Sequence, residues 1–238
     1  MITHRLRLLY PALLARPGFT LAARRLTTQT TAFNTVTDAI KADHRELERY
    51  YDNIVAAEPE DVDTKVRWQN MLVWELARHS VGEELVLYPA FEDYLTRAIA
   101  DKDRSAHLDL KHKLKTLQSL YPSSKEFTPT LDSLIASLRY HIAEEETHDL
   151  PALEDKLAIR EGLSRSLARS FERTKWLVPT RAHPSAPDRP PWETVVAFLN
   201  APIDRVRDVF LRFPAGDTPA AEKGVKGEGQ GVEDFGRG

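Results

Sequence analysis

One passage of this sequence occurs twice, and the repeat constrains the fold more than any other feature does. Residues 79–95 and 141–157 align without a gap at an offset of 62. They share a histidine, a Glu-Glu pair, a Pro-Ala pair, a Glu-Asp pair and a final leucine. A fainter match at an offset of 63 relates His44 to His107. The chain is therefore predicted to be a doubled helix pair, in which each half contributes a lone histidine and a His-x-x-x-Glu motif.

Apolar residues recur at spacings of three and four through the region that holds the repeat, which is typical of amphipathic helices. Between residues 38 and 157 the only glycine is Gly82, and proline falls at a few boundaries. Because proline lacks the N–H that continues a helix, we predict that the helices end at the prolines. The pattern predicts helices at residues 32–57, 63–88, 90–121 and 129–150, with a break of the third near residue 100 as the alternative to one continuous helix. Short connections between long helices favour an all-α fold, an up-down four-helix bundle.

The histidines and glutamates of both halves lie on the apolar stripes of their predicted helices. Residues four apart on a helix share a face, so each His-x-x-x-Glu motif presents an imidazole and a carboxylate in one direction. The leucines in line with them identify that direction as the core. The lone histidines continue the apolar stripes of the first and third helices. Six metal-ligating side chains are thus predicted to enter the core: His44, His79, Glu83, His107, His141 and Glu145.

Burying these six side chains requires compensation, because an unpaired buried charge costs several kcal/mol. Two divalent cations would supply it if Glu83 and Glu145 bridged them and each ion also took two imidazoles. The chain has no cysteine, which excludes disulfides, iron–sulfur clusters, thiolate metal sites and cysteine nucleophiles. A carboxylate-bridged pair within a four-helix bundle favours two iron ions, with zinc or manganese as alternatives.

With these residues in this order, the chain resembles the hemerythrin-like, or HHE cation-binding, domain family. The resemblance covers residues 34–160, and the motifs that carry it are Asp43-His44, His79-x-x-x-Glu83-Glu84 before Tyr88-Pro89, Asp103-Arg104-x-x-His107-x-x-x-Lys111, and His141-x-x-x-Glu145-Glu146 before Leu150-Pro151. It implies a non-haem di-iron centre, used across the family for oxygen binding, for sensing oxygen, nitric oxide or iron, and for iron handling. Lys111 stands where the oxygen carriers have a fifth histidine, so the ligand set looks more like that of the iron-handling and sensing members.

The sequence leaves three functions open. The first is a protein that binds or senses iron, oxygen or a related small diatomic molecule. The second is a redox enzyme whose open metal position reduces oxygen, peroxide or nitric oxide; no further acid–base group is predicted in the core, so no catalytic residue is assigned. The third is a structural or interaction bundle, with zinc or without metal, whose C-terminal extension binds a protein partner that the sequence does not identify.

The positions of five further side chains around the motifs predict where they lie and what they contact. Glu84 and Glu146 are expected on the solvent side of their helices, with contact to the metal ligands as the alternative. Tyr88 is expected to be a packing aromatic, whereas Tyr51 shares the stripe of His44 and is the candidate to hydrogen-bond a metal-bound ligand. His112 falls off the apolar stripe and is expected in solvent.

The segment before the bundle has a different composition. Residues 1–37 hold no Asp, Glu or Lys but carry five arginines interleaved with leucines, which predicts a mitochondrial transit peptide, assigned to residues 1–31, and a location in the matrix. A basic arm that binds nucleic acid or membrane is the alternative. Without those five arginines, 28 of the 33 basic residues remain against 36 acidic ones. The resulting net charge of about −8 disfavours nucleic acid as a partner.

The segments after the bundle are also distinct. Residues 161–213 are predicted to form a C-terminal helical and proline-rich extension that packs on the bundle. Residues 214–238 hold seven of the ten glycines and are expected to be disordered. No run in the chain approaches the roughly 18 consecutive apolar residues of a membrane-spanning helix, so no membrane span is predicted.

Overall fold

The computed structural model describes residues 33–185, 204, 208 and 211–215. Within these residues the secondary structure is helical, and no strand is present. Among the described helices, none combines the length and the apolar character needed to cross a lipid bilayer. The transit peptide predicted at residues 1–31, much of the proline-rich extension and the whole tail after residue 215 lie outside the described residues.

The described helices form the predicted four-helix bundle, which confirms the all-α fold. In chain order they are α1 Val36–Ala56, α2 Val62–Gly82, α3 Tyr88–Tyr94, α4 Arg97–Ser119, α5 Phe127–Glu144, α6 Leu150–Leu157 and α7 Leu163–Lys175. A first π turn, Glu83–Leu87, joins α2 to α3, and a second π turn, Glu145–Asp149, joins α5 to α6. Helix α1 packs on α2, α4 packs on α3 and α5, and α3 also contacts α6. Helix α7 packs against α1, α2 and the first π turn.

Short polar side chains define where three of the helices begin. The hydroxyl of Thr35 accepts a hydrogen bond from the backbone N–H of Asp38, and Thr96 does the same at the start of α4. The carboxylate of Asp61 caps α2 in the same way. These side chains satisfy N–H groups that have no partner within the helix. The first helix therefore begins at Val36 rather than at residue 32, where the apolar pattern alone had placed it.

The prediction that the second helix ends at Pro89 is wrong. The backbone N–H of Tyr88 donates to the carbonyl of Glu83, five residues earlier, and this bond closes the π turn one residue before the proline. Pro89 then lies in the first turn of α3, where its fixed φ suits a helix. The chain repeats this arrangement at Pro151. The break between helices falls instead at residues 95–96.

The apolar core of the bundle is divided into two clusters. One cluster includes Leu47, and the other includes Ile40, one helical turn away on each side of His44. The first cluster includes residues of α2 as far as Ala77. The second cluster includes Leu87, which lies in the first π turn. The polar residues of the predicted metal site therefore lie between two apolar layers, which exclude water from both directions.

Candidate metal centre

The structure brings all six predicted ligands together in the middle of the bundle. Each is buried, with 2% of His141 exposed and none of the other five. Four long helical segments supply them: α1 carries His44, α2 with the first π turn carries His79 and Glu83, α4 carries His107, and α5 with the second π turn carries His141 and Glu145. Residues far apart in the sequence thus converge because the doubled helix pair folds antiparallel on itself.

Glu83 lies between two pairs of histidines. His44 and His79, which we call the first half-site, have ligand atoms within 4.8 Å of one another and of Glu83. His107 and His141, the second half-site, form a similar group with the same glutamate. The Oε1 atom of Glu83 is 3.2 Å from Nε2 of His79, and its Oε2 atom is 3.2 Å from Nε2 of His107. Each carboxylate oxygen therefore faces a different half-site.

Glu145 also reaches both half-sites, at longer distances. Its Oε2 atom is 3.6 Å from Nε2 of His44 and 3.6 Å from Nε2 of His141. The second carboxylate of the repeat thus touches one histidine of each pair. Two carboxylates placed between two pairs of imidazoles form the donor arrangement of a carboxylate-bridged pair of metal ions.

Six polar atoms of these ligands have no hydrogen-bond partner. Both oxygens of Glu83, both oxygens of Glu145 and the Nε2 atoms of His44 and His79 are buried without a hydrogen-bond partner. Leaving a buried polar atom unpaired costs about 1–3 kcal/mol. Six such atoms directed into one space are an unusual concentration for a native core. The donor set therefore fits metal cations, which would satisfy these atoms together.

The electrostatics of the centre follow from its burial. Removal from water raises the pKa of Glu83 well above its usual value, and the nearby Glu145 carboxylate raises it further. Burial likewise raises the pKa of Glu145, with a further contribution from the charge of Asp103. Burial lowers the pKa of His107 and His141 well below the usual value, and it lowers that of His44 to about 4. These imidazoles are neutral at physiological pH, as metal coordination requires.

Three of the four histidines have a carboxylate close to their Nδ1 atom. The Nδ1 atom of His44 is 2.9 Å from a Glu146 oxygen, and that of His107 is 3.3 Å from a Glu84 oxygen. The Nδ1 atom of His79 is 3.3 Å from Oδ2 of Asp43. A carboxylate that accepts a hydrogen bond from Nδ1–H fixes the ring orientation and leaves Nε2 as the metal-ligating nitrogen.

Each of these carboxylates is paired in turn with a basic side chain. Arg45 contacts Glu146 at 2.6 Å, Lys111 contacts Glu84 at 2.5 Å, and Lys175 contacts Asp43 at 2.5 Å. Hydrogen bonds to His44 and Arg45 lower the pKa of Glu146 to about 2, whereas burial raises the pKa of Glu84, with Lys111 opposing that rise. His44 and His79 of the first half-site and His107 of the second are thus positioned by pairs of an acidic and a basic side chain.

The expectation that Glu84 and Glu146 face solvent is wrong. Glu84 is 1% exposed and contacts His107, and the side chain of Glu146, although 15% exposed, contacts His44. Adjacent residues of a regular α-helix point about 100° apart, so a helical pattern places the second glutamate of each pair off the buried stripe. The π turns change this direction. The signal in the sequence was the repeat itself, which contains both glutamates in both copies.

A tyrosine also contacts the centre, but it is not the predicted one. Tyr51 is half-buried, and the guanidinium of Arg139 lies 5.0 Å from its ring. The fully buried Tyr88 instead places its hydroxyl 2.8 Å from Nε2 of His107. Burial raises the pKa of Tyr88 well above its usual value, so its hydroxyl is a neutral hydrogen-bond donor. The aligned position in the other half of the repeat is Leu150, so Tyr88 makes the two halves different.

One buried acid near the centre was not predicted. Asp103 is 1% exposed, and its Oδ2 atom has no hydrogen-bond partner. Burial and the neighbouring Asp149 raise the pKa of Asp103 to about 7. The reasoning that the core holds no further acid–base group is therefore wrong. Of the other histidines, His112 is exposed as predicted, and His183 hydrogen-bonds Asp204 at 2.9 Å.

Comparison with known proteins identifies relatives of this chain. Residues 35–153 match the family model of the hemerythrin HHE cation binding domain. A protein of Schizosaccharomyces pombe that is described as an uncharacterized hemerythrin-like protein is 51% identical over 182 residues, which cover 75% of this chain and 88% of that protein. No solved structure matches the chain significantly. All six predicted ligands lie inside the range that matches the family model, and α7 lies outside it.

Proposed function

The chain belongs to the hemerythrin family of HHE cation-binding proteins, and from this membership and the geometry of the centre we propose that it binds two iron ions in a carboxylate-bridged, non-haem site. The arrangement of Glu83 carries the proposal, because each of its unpartnered oxygens faces a histidine of a different half-site. His44 and His79 would hold one ion, His107 and His141 the other, and both would share Glu83 and Glu145. When bound, the ions would supply redox and Lewis-acid chemistry and an open position for a small ligand.

The choice of iron rests on the chemistry of the donors. Imidazole and carboxylate groups without thiolate suit iron, manganese and zinc, and the paired, carboxylate-bridged arrangement within a helical bundle favours iron. The physiological role that follows is the binding or sensing of iron, oxygen or a related diatomic molecule. The chain's own part would be to exclude water with the two apolar clusters and to place the neutral Tyr88 hydroxyl beside the second half-site.

Metal content tests this proposal directly. The protein beginning at residue 27 would be purified without added metal or chelating tags, and its metals would be quantified by mass spectrometry. We expect about two irons per chain. His79→Ala should lose at least one of them, whereas His112→Ala should keep both because His112 is exposed. Stoichiometric zinc, or a folded wild-type protein without metal, would overturn the iron proposal and favour a structural or interaction bundle.

Asp103 supports a second candidate function, a di-iron redox enzyme acting on oxygen, peroxide or nitric oxide. A buried carboxyl with a pKa of about 7 can exchange protons at neutral pH, and reduction of these molecules consumes protons. Repeated reduction of one of the three by the iron-loaded protein in the presence of an added chemical reductant, slowed in Asp103→Asn, would support the enzyme. A stable stoichiometric adduct without turnover would favour binding or sensing.

We also propose that residues 1–31 direct the protein to the mitochondrial matrix. The support is their composition, five arginines among leucines and no acidic residue. Residues 1–37 fused to a fluorescent reporter should deliver it to mitochondria, and replacing the five arginines by glutamine should leave it in the cytosol. A reporter that stays cytosolic with the native segment would overturn this assignment.

A further inference from the structure

Helix α7 lies beyond the region that matches the family model, yet it is in contact with the surroundings of the first half-site. The helix spans Leu163–Lys175 and follows Gly162, whose φ of 77° allows the chain to turn back after α6. It packs on α1, α2 and the first π turn, the elements that carry His44, His79 and Glu83. The extension is thus part of this half-site's framework.

The last residue of α7 places a buried amine behind His79. Lys175 is 6% exposed, and its Nζ atom lies 2.5 Å from Oδ2 of Asp43 and 2.5 Å from Oε1 of Glu75. The same Oδ2 atom of Asp43 is 3.3 Å from Nδ1 of His79. A continuous chain of polar contacts therefore runs from the extension through Asp43 to a predicted metal ligand.

Arg78 is the second buried cation of this network, and the exposed carboxylate of Glu46 also lies close to Asp43 and Glu75. The Nε–H of Arg78 donates to the carbonyl of Lys175 at 2.8 Å, and its NH1 group donates to Glu75 at 3.1 Å. Two buried carboxylates, Asp43 and Glu75, are thus matched by two buried cations. Removing the amine of Lys175 would leave two neighbouring carboxylates with one cation, and Asp43 would no longer be held in place behind His79.

Phe171, one turn earlier on α7, covers His79 from the side. The two rings meet edge to face, with centroids 6.1 Å apart and an interplanar angle of 88°. Phe171 also fills the space next to Gly82, where an added Cβ would lie 2.9 Å from its ring. The glycine therefore lets α7 approach closely at the point where α2 passes into the first π turn.

We propose that Lys175 is a positioning residue for His79, so that the seating of α7 sets the metal affinity of the first half-site and leaves the second unaffected. The second half-site has an equivalent set of contacts within the bundle itself. There Lys111 contacts Glu84, and Glu84 contacts Nδ1 of His107. One half-site thus depends on the extension and the other does not. The inference rests on the proposed two-metal function and adds a specific dependence to it.

Titration of the metal-free full chain with Co²⁺ tests this inference, because both the heat of binding and the visible absorption of the ion report on each site. Two binding events are expected for the wild type. In Lys175→Met, which keeps the length of the side chain but removes its charge, one event should weaken about tenfold or more while the other keeps its affinity. Lys175→Arg restores the charge and should recover most of the loss.

Matched variants assign the effect to a half-site. Lys111→Met should weaken the other binding event. In a His141→Ala background, which disables the second half-site, Lys175→Met should weaken the event that remains. Asp43→Asn should reproduce the loss seen in Lys175→Met, and the double variant should lose no more than either single variant, because both act through His79.

The outcomes separate this inference from the proposed function. Equal weakening of both events in Lys175→Met, or no weakening, would overturn the positioning role while two-metal binding stands. If Lys175→Met does not fold by circular dichroism, Asp43→Asn decides: unchanged affinities overturn the inference, and a selective loss supports it. A wild-type chain that binds no Co²⁺ would overturn the metal-binding proposal itself and this inference with it.

Discussion

At the scale of single residues, the centre is defined by two buried carboxylates that resist ionisation without a metal. Glu83 and Glu145 both have raised pKa values, because burial penalises their charged forms. In the metal-free protein the pair therefore holds protons at pH values where exposed glutamates have lost them. A metal ion needs the ionised carboxylates and must displace those protons.

The raised pKa values predict that metal binding releases protons and that metal affinity rises with pH. Because a raised pKa means that the metal-free state binds more protons than the metal-bound state, the slope of affinity against pH is positive. Calorimetry in two buffers of different ionisation enthalpy would measure the number released. Glu83→Gln, which cannot carry that proton, should release fewer. Heats independent of the buffer at pH 6 to 7 would contradict this prediction.

At the scale of elements, the two π turns determine which side chains meet the metals. Each begins at a ligand glutamate and ends just before a helix whose first turn contains proline. The wider turn places Glu84 in the interior, although it neighbours the buried Glu83. Two consecutive glutamates can then serve the centre, one directed between the half-sites and one behind His107.

Helix α7 also lies close to the junction of α2 and the first π turn, at Gly82. Alanine is favoured over glycine in helices by about 1 kcal/mol, so Gly82→Ala would stabilise an open helix. Here the added methyl meets the fully buried ring of Phe171. We predict that the steric clash with Phe171 outweighs the gain in helix propensity. The free energy of unfolding should then fall by about 1–3 kcal/mol.

Urea denaturation would measure the effect of Gly82→Ala, and Phe171→Leu supplies the matched background. With the ring removed, the same substitution should become neutral or stabilising, so the two changes should be strongly non-additive. Additive effects would mean that the loss does not come from contact with Phe171.

At the scale of the whole molecule, a polar centre divides the apolar core, so stability and metal binding are linked. Without metal, the bundle carries six unpartnered polar atoms between two apolar clusters. A ligand that binds the folded state at 100 times its dissociation constant adds about 2.7 kcal/mol. We therefore predict that a chelator lowers the thermal midpoint and that restored metal recovers it.

A control variant isolates the role of the centre in that shift. The double variant His79→Ala with His141→Ala should have the same midpoint with and without chelator, because it lacks a ligand in each half-site. His112→Ala should respond as the wild type does. A wild-type midpoint that does not change on metal removal would favour a bundle whose stability is independent of metal.

The helical fold, the doubling and the six residues that meet in the core could all be predicted from the amino-acid pattern. Periodicity and repeats record which side chains must be buried together, and that information is local to each helix. His44, His79, Glu83, His107, His141 and Glu145 could be named because each lies on an apolar stripe.

The side chains that surround those six depend on how the helices pack, which no local pattern predicts. The direction of Glu84 depends on a π turn that a helical pattern does not reveal, and the contact of Tyr88 with His107 joins residues from different helices. The contact of Lys175 with Asp43 spans 132 positions of sequence and comes from an element outside the repeat. These partners act across the gaps between helices, where position is set by how the helices pack.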